Sequence, residues 1–469
     1  MNYEVVVVGG GIGGLTTAAL LAARGVNVCH FERQSKLGGC VANFDHVGYT
    51  FEPTLGLYSG WEPGGVYEKV FSGLPVSAPE VRRLSPSYSV RLPDRTEVAV
   101  SDDLDRFEGD LRLAFPECSL ATVEFYRKLN RKTGKRTDFE FPADTTAAHL
   151  TDCSERFRRF IDIQLQTFTQ CTSDQCSFNL AAQALTAPQH GMWAILGGAQ
   201  ALADALGDSL KKSGGTLRLD SPVLRLAYGA DNTPIGVDLL SGERVTATRA
   251  IVSNLTVWDT YGKLIGLGRT PPTVSAQLKQ LSAWGTYLLF LGMDQTAAAH
   301  FKSNRLLVLA DWQSDQLYEL DQAQFVFATA PDWDSRAPEG KRAVTVSMFT
   351  RAEDWFAFHQ DESAHEEQDQ ETLESLWSRL HSTMPELGDS VEVIETATPR
   401  TFYENTRRKL GMVGRPWSSA EFSFAERQFG TTIFPNVFLV GDTVSSGLGI
   451  AGVSHSASIL ADVLCGPSP

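Results

Sequence analysis

Cysteines are few in this sequence, and no pattern organises them. The 469 residues include seven cysteines, an odd number, and no two of them form a C-x-x-C pair. A disulfide framework and a zinc site are both disfavoured by this usage. We therefore expect no bound metal and a reducing, cytoplasmic environment.

Long apolar runs and an excess of basic residues are also missing. No window approaches the roughly 18 uninterrupted apolar residues that a membrane-spanning helix needs. Met1 lies two residues before an apolar run, which leaves no room for a signal peptide. The net charge of −15 argues against binding of nucleic acid, which requires a basic surface. We expect a cytoplasmic protein without a nucleic-acid partner, and a peripheral membrane contact stays open.

The sequence contains no Ser-His-Asp, Cys-His or metal-ligand constellation. Nine histidines are scattered along the chain, and we identify His46 and His455 as the only two close to the motifs below. A structural role is the favoured interpretation of both. We assign no catalytic residue, so the chemistry has to come from a cofactor.

The start of the chain has the pattern of a dinucleotide site. Residues 3–8 (YEVVVV) predict a buried strand, and residues 15–24 predict a helix. Between them, Gly9, Gly11 and Gly14 fit G-x-G-x-x-G. The first glycine permits a tight turn, the second lets backbone approach a pyrophosphate, and the third packs helix against strand. The pyrophosphate would bind at the N-terminus of the helix.

An acidic residue follows at the distance that this motif requires. Residues 27–31 predict the second parallel strand, which ends at Glu32. A carboxylate at this place accepts hydrogen bonds from ribose hydroxyls and repels a 2′-phosphate, so NADP is disfavoured. Gly197-Gly198, by contrast, lacks a surrounding strand, turn and downstream acid, and we predict a single dinucleotide site.

Two further glycine motifs point to a flavin. Gly38-Gly39 follows the second strand and precedes a predicted hairpin over residues 41–51. Near the end of the chain, a predicted strand over residues 436–440 leads into Gly441-Asp442 and a glycine-rich turn before the last helix. Glycines let the backbone pass where side chains do not fit.

Together, the fingerprint, Gly38-Gly39 and the segment Glu62-Pro63-Gly64-Gly65 resemble the phytoene desaturase and carotenoid isomerase family. These enzymes are FAD-dependent and belong to the amine-oxidase-like superfamily. The Glu-Pro-Gly-Gly element is most similar to carotenoid 3′,4′-desaturases. The resemblance covers residues 3–65, 191–260 and 398–460.

This resemblance implies FAD as the cofactor and gives roles to residues beyond the fingerprint. Asp442 would bind the flavin ribityl, and the backbone near Val223 would meet the adenine. The helix that begins near Gly449 would point its positive end at the flavin pyrimidine ring and stabilise the anionic reduced flavin. The predicted cofactor contacts are Gly9, Gly11, Ile12, Gly13, Gly14, Glu32, Arg33, Gly38, Gly39, Val223, Gly441, Asp442, Gly449, Ile450, Ala451, Gly452 and Val453.

We predict an α/β fold in two parts. A discontinuous Rossmann-like FAD-binding domain comprises residues 1–70, 191–260 and 425–469. A mixed α+β substrate-binding domain comprises residues 71–190 and 261–424.

Three departures from the family pattern surround the predicted flavin. Glu52-Pro53-Thr54 stands where Asp-x-Gly is usual, Cys40 where many relatives have arginine, and Ser445-Ser446-Gly447 where Pro-Gly is usual. The resemblance therefore predicts the fold of this chain better than it predicts the substrate.

Three functions stay open. The first is desaturation of a carotenoid or related apolar polyprenoid by hydride transfer to the flavin, with an external quinone or oxygen as electron acceptor. The second is cis–trans isomerisation of a carotenoid with reduced FAD. The third is a flavin amine oxidase that acts on a small polar substrate.

A basic cluster with interleaved aromatic residues follows the second predicted helix of the substrate domain. A solvated helix face is the favoured interpretation, and a membrane-contact patch is the alternative. The cluster comprises Phe125, Tyr126, Arg127, Lys128, Arg131, Lys132, Lys135, Arg136, Phe139 and Phe141.

Overall fold

The computed structural model describes residues 2–132, 144–312, 324–356, 361–416, 432–445 and 448–465. Ser446 and Gly447 of the last glycine-rich turn lie outside these ranges. So do four residues of the basic cluster, which are Lys135, Arg136, Phe139 and Phe141.

The strands, in chain order, are β1 (Asn2–Val8), β2 (Val28–Phe31), β3 (Phe44–His46), β4 (Tyr49–Phe51), β5 (Val81–Arg83), β6 (Tyr88–Arg91), β7 (Glu97–Val100), β8 (Trp193–Ile195), β9 (Thr216–Arg218), β10 (Val223–Tyr228), β11 (Pro234–Leu239), β12 (Arg244–Ser253), β13 (Trp284–Asp294), β14 (Arg305–Leu309), β15 (Gln324–Thr329), β16 (Lys341–Arg351), β17 (Val391–Ala397) and β18 (Val437–Leu439).

The α-helices are α1 (Ile12–Ala23), α2 (Val66–Ser72), α3 (Leu104–Ala114), α4 (Ser119–Lys132), α5 (Glu155–Thr169), α6 (Phe178–His190), α7 (Ala199–Lys212), α8 (Val257–Asp259), α9 (Pro272–Gln280), α10 (Glu362–Thr383), α11 (Pro399–Thr406) and α12 (Gly449–Cys465). A π-helical turn, Thr260–Gly266, continues α8. Short 3-10 turns include Gly39–Val41 and Lys409–Gly411.

The first sheet joins both ends of the chain. Its strand order is β10-β11-β12-β1-β2-β9, and β18 pairs with β12. The pairs of β1 with β2 and β12, of β2 with β9, and of β12 with β18 are parallel. Val5 and Val7 face α1 and α12, whereas Val6 and Val8 face the other side of the sheet. Burial on both faces explains why residues 5–8 of β1 are an uninterrupted run of valines.

The second sheet has the order β17-β13-β16-β15-β14-β6-β7 and is mostly antiparallel. The long strands β13 and β16 pair along their whole length. One face packs on α10, and Leu289 of the sheet and Leu376 of the helix belong to the same buried cluster. On the other face, Leu288 and Phe290 pack on the β3–β4 hairpin.

The predicted fold class is confirmed, and so is the hairpin within residues 41–51. The sequence pattern predicts two strands, over residues 244–248 and 250–254, and the structure has one, β12. Thr248 and Arg249, at the boundary of the two predicted segments, lie on an exposed part of this continuous strand. The domain bounds stay a prediction.

Within the described ranges, no helix combines the length and apolarity that crossing a bilayer requires.

Candidate functional site

A large cavity extends from the carboxyl end of β1 to the second sheet. Its volume is about 1510 Å³. At one end it is lined by the glycines after β1, and at the other by Leu288 and Phe290 of β13. Ligands of parallel sheets bind at the carboxyl ends of the strands, so this is the expected place for a dinucleotide.

The fingerprint forms a cradle that only glycines fit. Gly9 has a φ of +101°, in the region that favours glycine. A Cβ at Gly11 would lie 2.5 Å from the Asn254 amide nitrogen, and a Cβ at Gly14 would overlap the Gly9 carbonyl oxygen. Gly11 also precedes α1 without a side-chain cap, so the first N–H groups of the helix are directed at the cavity without a competing side chain.

Glu32 and Arg33 lie where β2 ends. The Glu32 carboxylate is buried and accepts hydrogen bonds from the Gly10 N–H (2.5 Å) and the Gln34 N–H (2.8 Å). Arg33 donates to the Glu404 carbonyl at the end of α11 (3.4 Å). Both residues line the cavity, and contact of Glu32 with a ribose stays a prediction.

Gly38 and Gly39 pack directly on the fingerprint. The Gly38 N–H donates to the Gly10 carbonyl (2.9 Å), and a Cβ at Gly39 would lie 3.4 Å from the Gly11 Cα. Both have positive φ, +110° and +61°. Cys40 follows them on the cavity wall, where burial raises the pKa of its thiol and Arg408 opposes the shift.

The end of the chain meets the fingerprint at Gly441. A Cβ at Gly13 would lie 3.0 Å from the Gly441 nitrogen. Asp442 lines the cavity, and its carboxylate accepts two hydrogen bonds from the Arg408 guanidinium (2.7 and 3.2 Å). It also accepts the Gly414 N–H (3.0 Å).

The remaining predicted contacts divide into two groups. The cavity wall includes Ile12, Gly13, Val223, Gly449, Ile450 and Val453. Packing roles belong to Gly14, which lies against Gly9, and to Ala451, whose Cβ lies 3.1 Å from the position of a Cβ at Gly60. Gly452 is buried within α12.

Sequence reasoning did not place Asn254 in the site. Its side chain lies against Gly11, Gly13 and Gly441, and it lines the cavity. Its Oδ1 atom is buried and has no hydrogen-bond partner among the described residues. The only signal in the sequence is that Asn254 directly follows the strand next to β1.

His30 is a second missed residue. Its Nε2 lies 2.9 Å from the Gly9 carbonyl oxygen, so a neutral ring protonated at Nε2 donates to the turn. Burial lowers the pKa of His30 to about 4, although the Gly9 carbonyl opposes this shift. The prediction that only His46 and His455 lie near the motifs is therefore wrong. His46 stacks on Phe44, and His455 is exposed on α12.

The first departure from the family pattern also has a structural role. Glu52 is buried, and its carboxylate accepts the Ala199 N–H at the start of α7 (3.0 Å) and the Arg336 guanidinium (2.9 Å). Asp334 accepts the Gly197 N–H (3.1 Å) and pairs with Arg336. The N-terminus of α7 is thus occupied by the protein's own carboxylates.

Two of the interleaved aromatic residues of the basic cluster, Phe125 and Tyr126, are core residues. Phe125 and Tyr126 are buried among the helices of the second part of the chain. Arg127 pairs with Glu108 (2.8 Å), and Arg131 pairs with Glu124 (3.2 Å). The alternative interpretation, in which Phe125 and Tyr126 contact a membrane, is therefore wrong.

These observations fit a bound dinucleotide. The glycine cradle has no room for side chains, the start of α1 is suited to an anion, and the buried Oδ1 of Asn254, which lines the cavity, has no partner among the described residues. Gly9 to Gly14, Glu32, Gly38, Gly39, Gly441 and Asp442 are the residues that would hold it.

Known proteins resemble this chain over most of its length. Prolycopene isomerase 2 from an Oncidium hybrid cultivar is 25% identical, over 98% of this chain and 83% of its own. All-trans-retinol 13,14-reductase from Danio rerio is 24% identical, over 99% and 86%. The zeta-carotene-forming phytoene desaturase of Myxococcus xanthus is 27% identical, over 73% and 71%.

The fold has relatives among solved structures. An oxidoreductase from Methanosarcina mazei superimposes with a TM-score of 0.69 at 17% identity, covering 98% of this chain and 100% of that one. The resemblance to the phytoene desaturase and carotenoid isomerase family is confirmed by the relatives named above. The family model described as "flavin containing amine oxidoreductase" matches residues 12–465. The chain belongs to this family and is an FAD-dependent oxidoreductase.

Proposed function

We propose that this protein desaturates a carotenoid or a related apolar polyprenoid. Bound FAD would accept a hydride from one carbon of the substrate, and the neighbouring carbon would lose a proton to solvent, so that a C=C bond forms between them. An external quinone or oxygen takes up the electrons. The carotenoid-related relatives support this proposal, although isomerases are as similar to the chain as desaturases are.

The observation that carries the proposal is the extent and lining of the cavity. A pocket for one ligand is usually about 300–1,000 Å³, and this cavity measures about 1510 Å³. It therefore has room for the dinucleotide and a second molecule. Beyond the glycine cradle, its wall includes Phe44, Phe168, Leu180, Leu288 and Phe290.

The apolar wall binds and orients the substrate and excludes water from it. Leu288 and Phe290 project from a long, fully paired strand, so their positions are rigid. Exclusion of water protects a developing positive charge on a conjugated chain, which delocalises the charge by itself. A strong protein base is then not obligatory, in keeping with the absence of an assigned catalytic residue.

Isomerisation of a carotenoid is the second candidate, and the prolycopene isomerases among the relatives favour it. The same cavity would bind the same class of substrate. A flavin amine oxidase is less well supported, because Leu288 and Phe290, the residues that β13 contributes to the wall, are apolar rather than suited to a small polar amine.

The test is incubation of the purified FAD-loaded protein with carotenoids in liposomes, together with a quinone. Loss of a pair of hydrogens, seen by mass spectrometry, supports the desaturase. Unchanged mass with a changed isomer pattern replaces it with the isomerase. Turnover of small amines without turnover of carotenoids would overturn both.

One variant tests the polyene end of the cavity without changing the cofactor end. Ala397 lies in β17 and lines the cavity away from the glycine cradle. Ala397→Trp should leave FAD content unchanged and abolish polyene turnover, because the indole occupies the apolar end. Ala148→Trp, at an exposed position, is the matched control and should keep its activity. Full polyene turnover by Ala397→Trp would place the substrate elsewhere.

We also propose that the substrate is delivered by a peripheral contact with a membrane. Leu113 and Leu120 are 83% and 79% exposed where α3 ends and α4 begins, and the basic residues of α4 lie in the later turns of that helix. Exposed leucines and cations on one pair of helices are suited to a lipid surface. Leu113→Ser with Leu120→Ser should lower sedimentation with anionic vesicles, and unchanged sedimentation would remove this part of the proposal.

A further inference from the structure

The carboxylate of Asp442 is held by an arginine from a distant part of the chain. Arg408 lies after α11, and its guanidinium pairs with both carboxylate oxygens of Asp442 (2.7 and 3.2 Å). Its Nε donates to the Met412 carbonyl (2.7 Å). Bidentate pairs of this kind fix both partners in orientation as well as in distance.

This ion pair lies beside the diphosphate cradle. Gly441 touches the first turn of α1 at Gly13, and Asp442 is the next residue. Both members of the pair line the same cavity as the fingerprint. An unpaired carboxylate here would face the negative charge of a dinucleotide diphosphate across a short, poorly screened distance.

The pair is built into the surrounding structure. The Arg408 side chain is 13% exposed and that of Asp442 is 28% exposed. Burial alone would lower the pKa of Arg408, but Asp442 and the neighbouring Cys40 and Asp259 raise it above its ordinary value. Arg408 therefore stays charged at neutral pH.

We propose that Arg408 is a positioning residue for FAD. It neutralises Asp442 and holds its carboxylate in place, so that the anionic cofactor can bind next to an acidic side chain. This role does not depend on which substrate the protein uses.

The test is the dissociation constant of FAD, measured by titrating the apoprotein and following flavin fluorescence. Arg408→Gln should weaken binding by about tenfold or more, since Asp442 is left unpaired near the diphosphate. Removing that charge in the double variant, Arg408→Gln with Asp442→Asn, should recover part of the lost affinity. Recovery is the decisive result, because a direct contact between Arg408 and the diphosphate predicts none.

Two further variants serve as controls for this experiment. Arg400→Gln removes a cation from α11 that pairs with Glu362 and Glu404, and it should bind FAD as the wild type does. Arg408→Lys keeps the charge and should bind more tightly than Arg408→Gln, which also tests the proposal if the glutamine variant fails to fold. A double variant no tighter than Arg408→Gln, or a lysine variant as weak as glutamine, would overturn the proposal.

Discussion

The side chain of Asn254 connects the fingerprint with the end of the chain, because it lies against Gly11, Gly13 and Gly441. We predict that Asn254→Asp weakens FAD binding. The new carboxylate is isosteric but places a negative charge beside the diphosphate cradle, and a loss of about tenfold, or ~1.4 kcal/mol, is expected. Titration of the apoprotein with FAD measures it.

Asn436→Asp is the matched control for that change. Asn436 precedes β18 and donates to the Pro234 carbonyl (2.7 Å) at the far end of the sheet. FAD affinity should be unaffected there. Equal affinities for wild type and Asn254→Asp would remove Asn254 from the site.

His30 predicts a dependence of stability on pH. Burial lowers its pKa from 6.5 to about 4 in the folded protein. Between these values the unfolded chain binds a proton that the folded chain does not, so stability is full above about pH 6.5 and falls as the pH is lowered toward about 4. The loss from this group is on the order of 3 kcal/mol over that window.

The check is the melting temperature at about pH 7.5 and about pH 5 for wild type and His30→Gln. Glutamine can still donate to the Gly9 carbonyl but does not titrate. We expect the variant to lose less stability between the two conditions. Identical pH dependence of the two proteins would contradict this account of His30.

Some residues of the site can be predicted from the sequence, and others cannot. The glycines are predictable because each meets a steric demand that local sequence reveals. The contacts of Asn254 and His30 are not, since both arise from the approach of neighbouring strands. The pairing of Arg408 with Asp442 is equally hidden, because nothing local links residues that far apart.

Among the elements, the start of α7 is bound by a buried ion-pair group. Arg336 pairs with Glu52 and Asp334, and both carboxylates accept N–H groups from residues at the start of the helix. Arg336→Gln leaves two buried carboxylates without their cation. We predict a loss of roughly 3–5 kcal/mol of stability, seen as a lower melting temperature.

Arg82→Gln is the control for this variant. Arg82 pairs with Glu80 at the surface, where both side chains are about half exposed, and such pairs contribute about 0–1 kcal/mol. If the two arginine variants melted alike, the buried group would not be what holds α7 in place.

Elements with strong local patterns are predictable, and those that depend on neighbours are not. The valine run of β1 and the alanine- and leucine-rich α1 follow from composition and period. β17 was not predicted. In this edge strand, exposed glutamates alternate with apolar residues, so there is no continuous apolar run. The order of the strands in the second sheet depends on long-range pairing, which local sequence patterns do not reveal.

At the scale of the whole molecule, the two sheets and both chain ends enclose one cavity. β1 and β18 flank β12, which brings the fingerprint and Gly441-Asp442 together. The second sheet adds the apolar wall through β13. The family resemblance predicted this architecture, whereas the extent of the cavity required the structure.

The central claim is that both ends of the chain bind one FAD, and titration of the apoprotein with FAD tests it most directly. We expect one FAD per chain for the wild type and for Gly268→Val, an exposed position with open space around it. Gly13→Val should not bind, because its side chain would meet Asn254 and Gly441. A wild-type protein that takes up no FAD, or a Gly13→Val variant that binds it normally, would contradict the account.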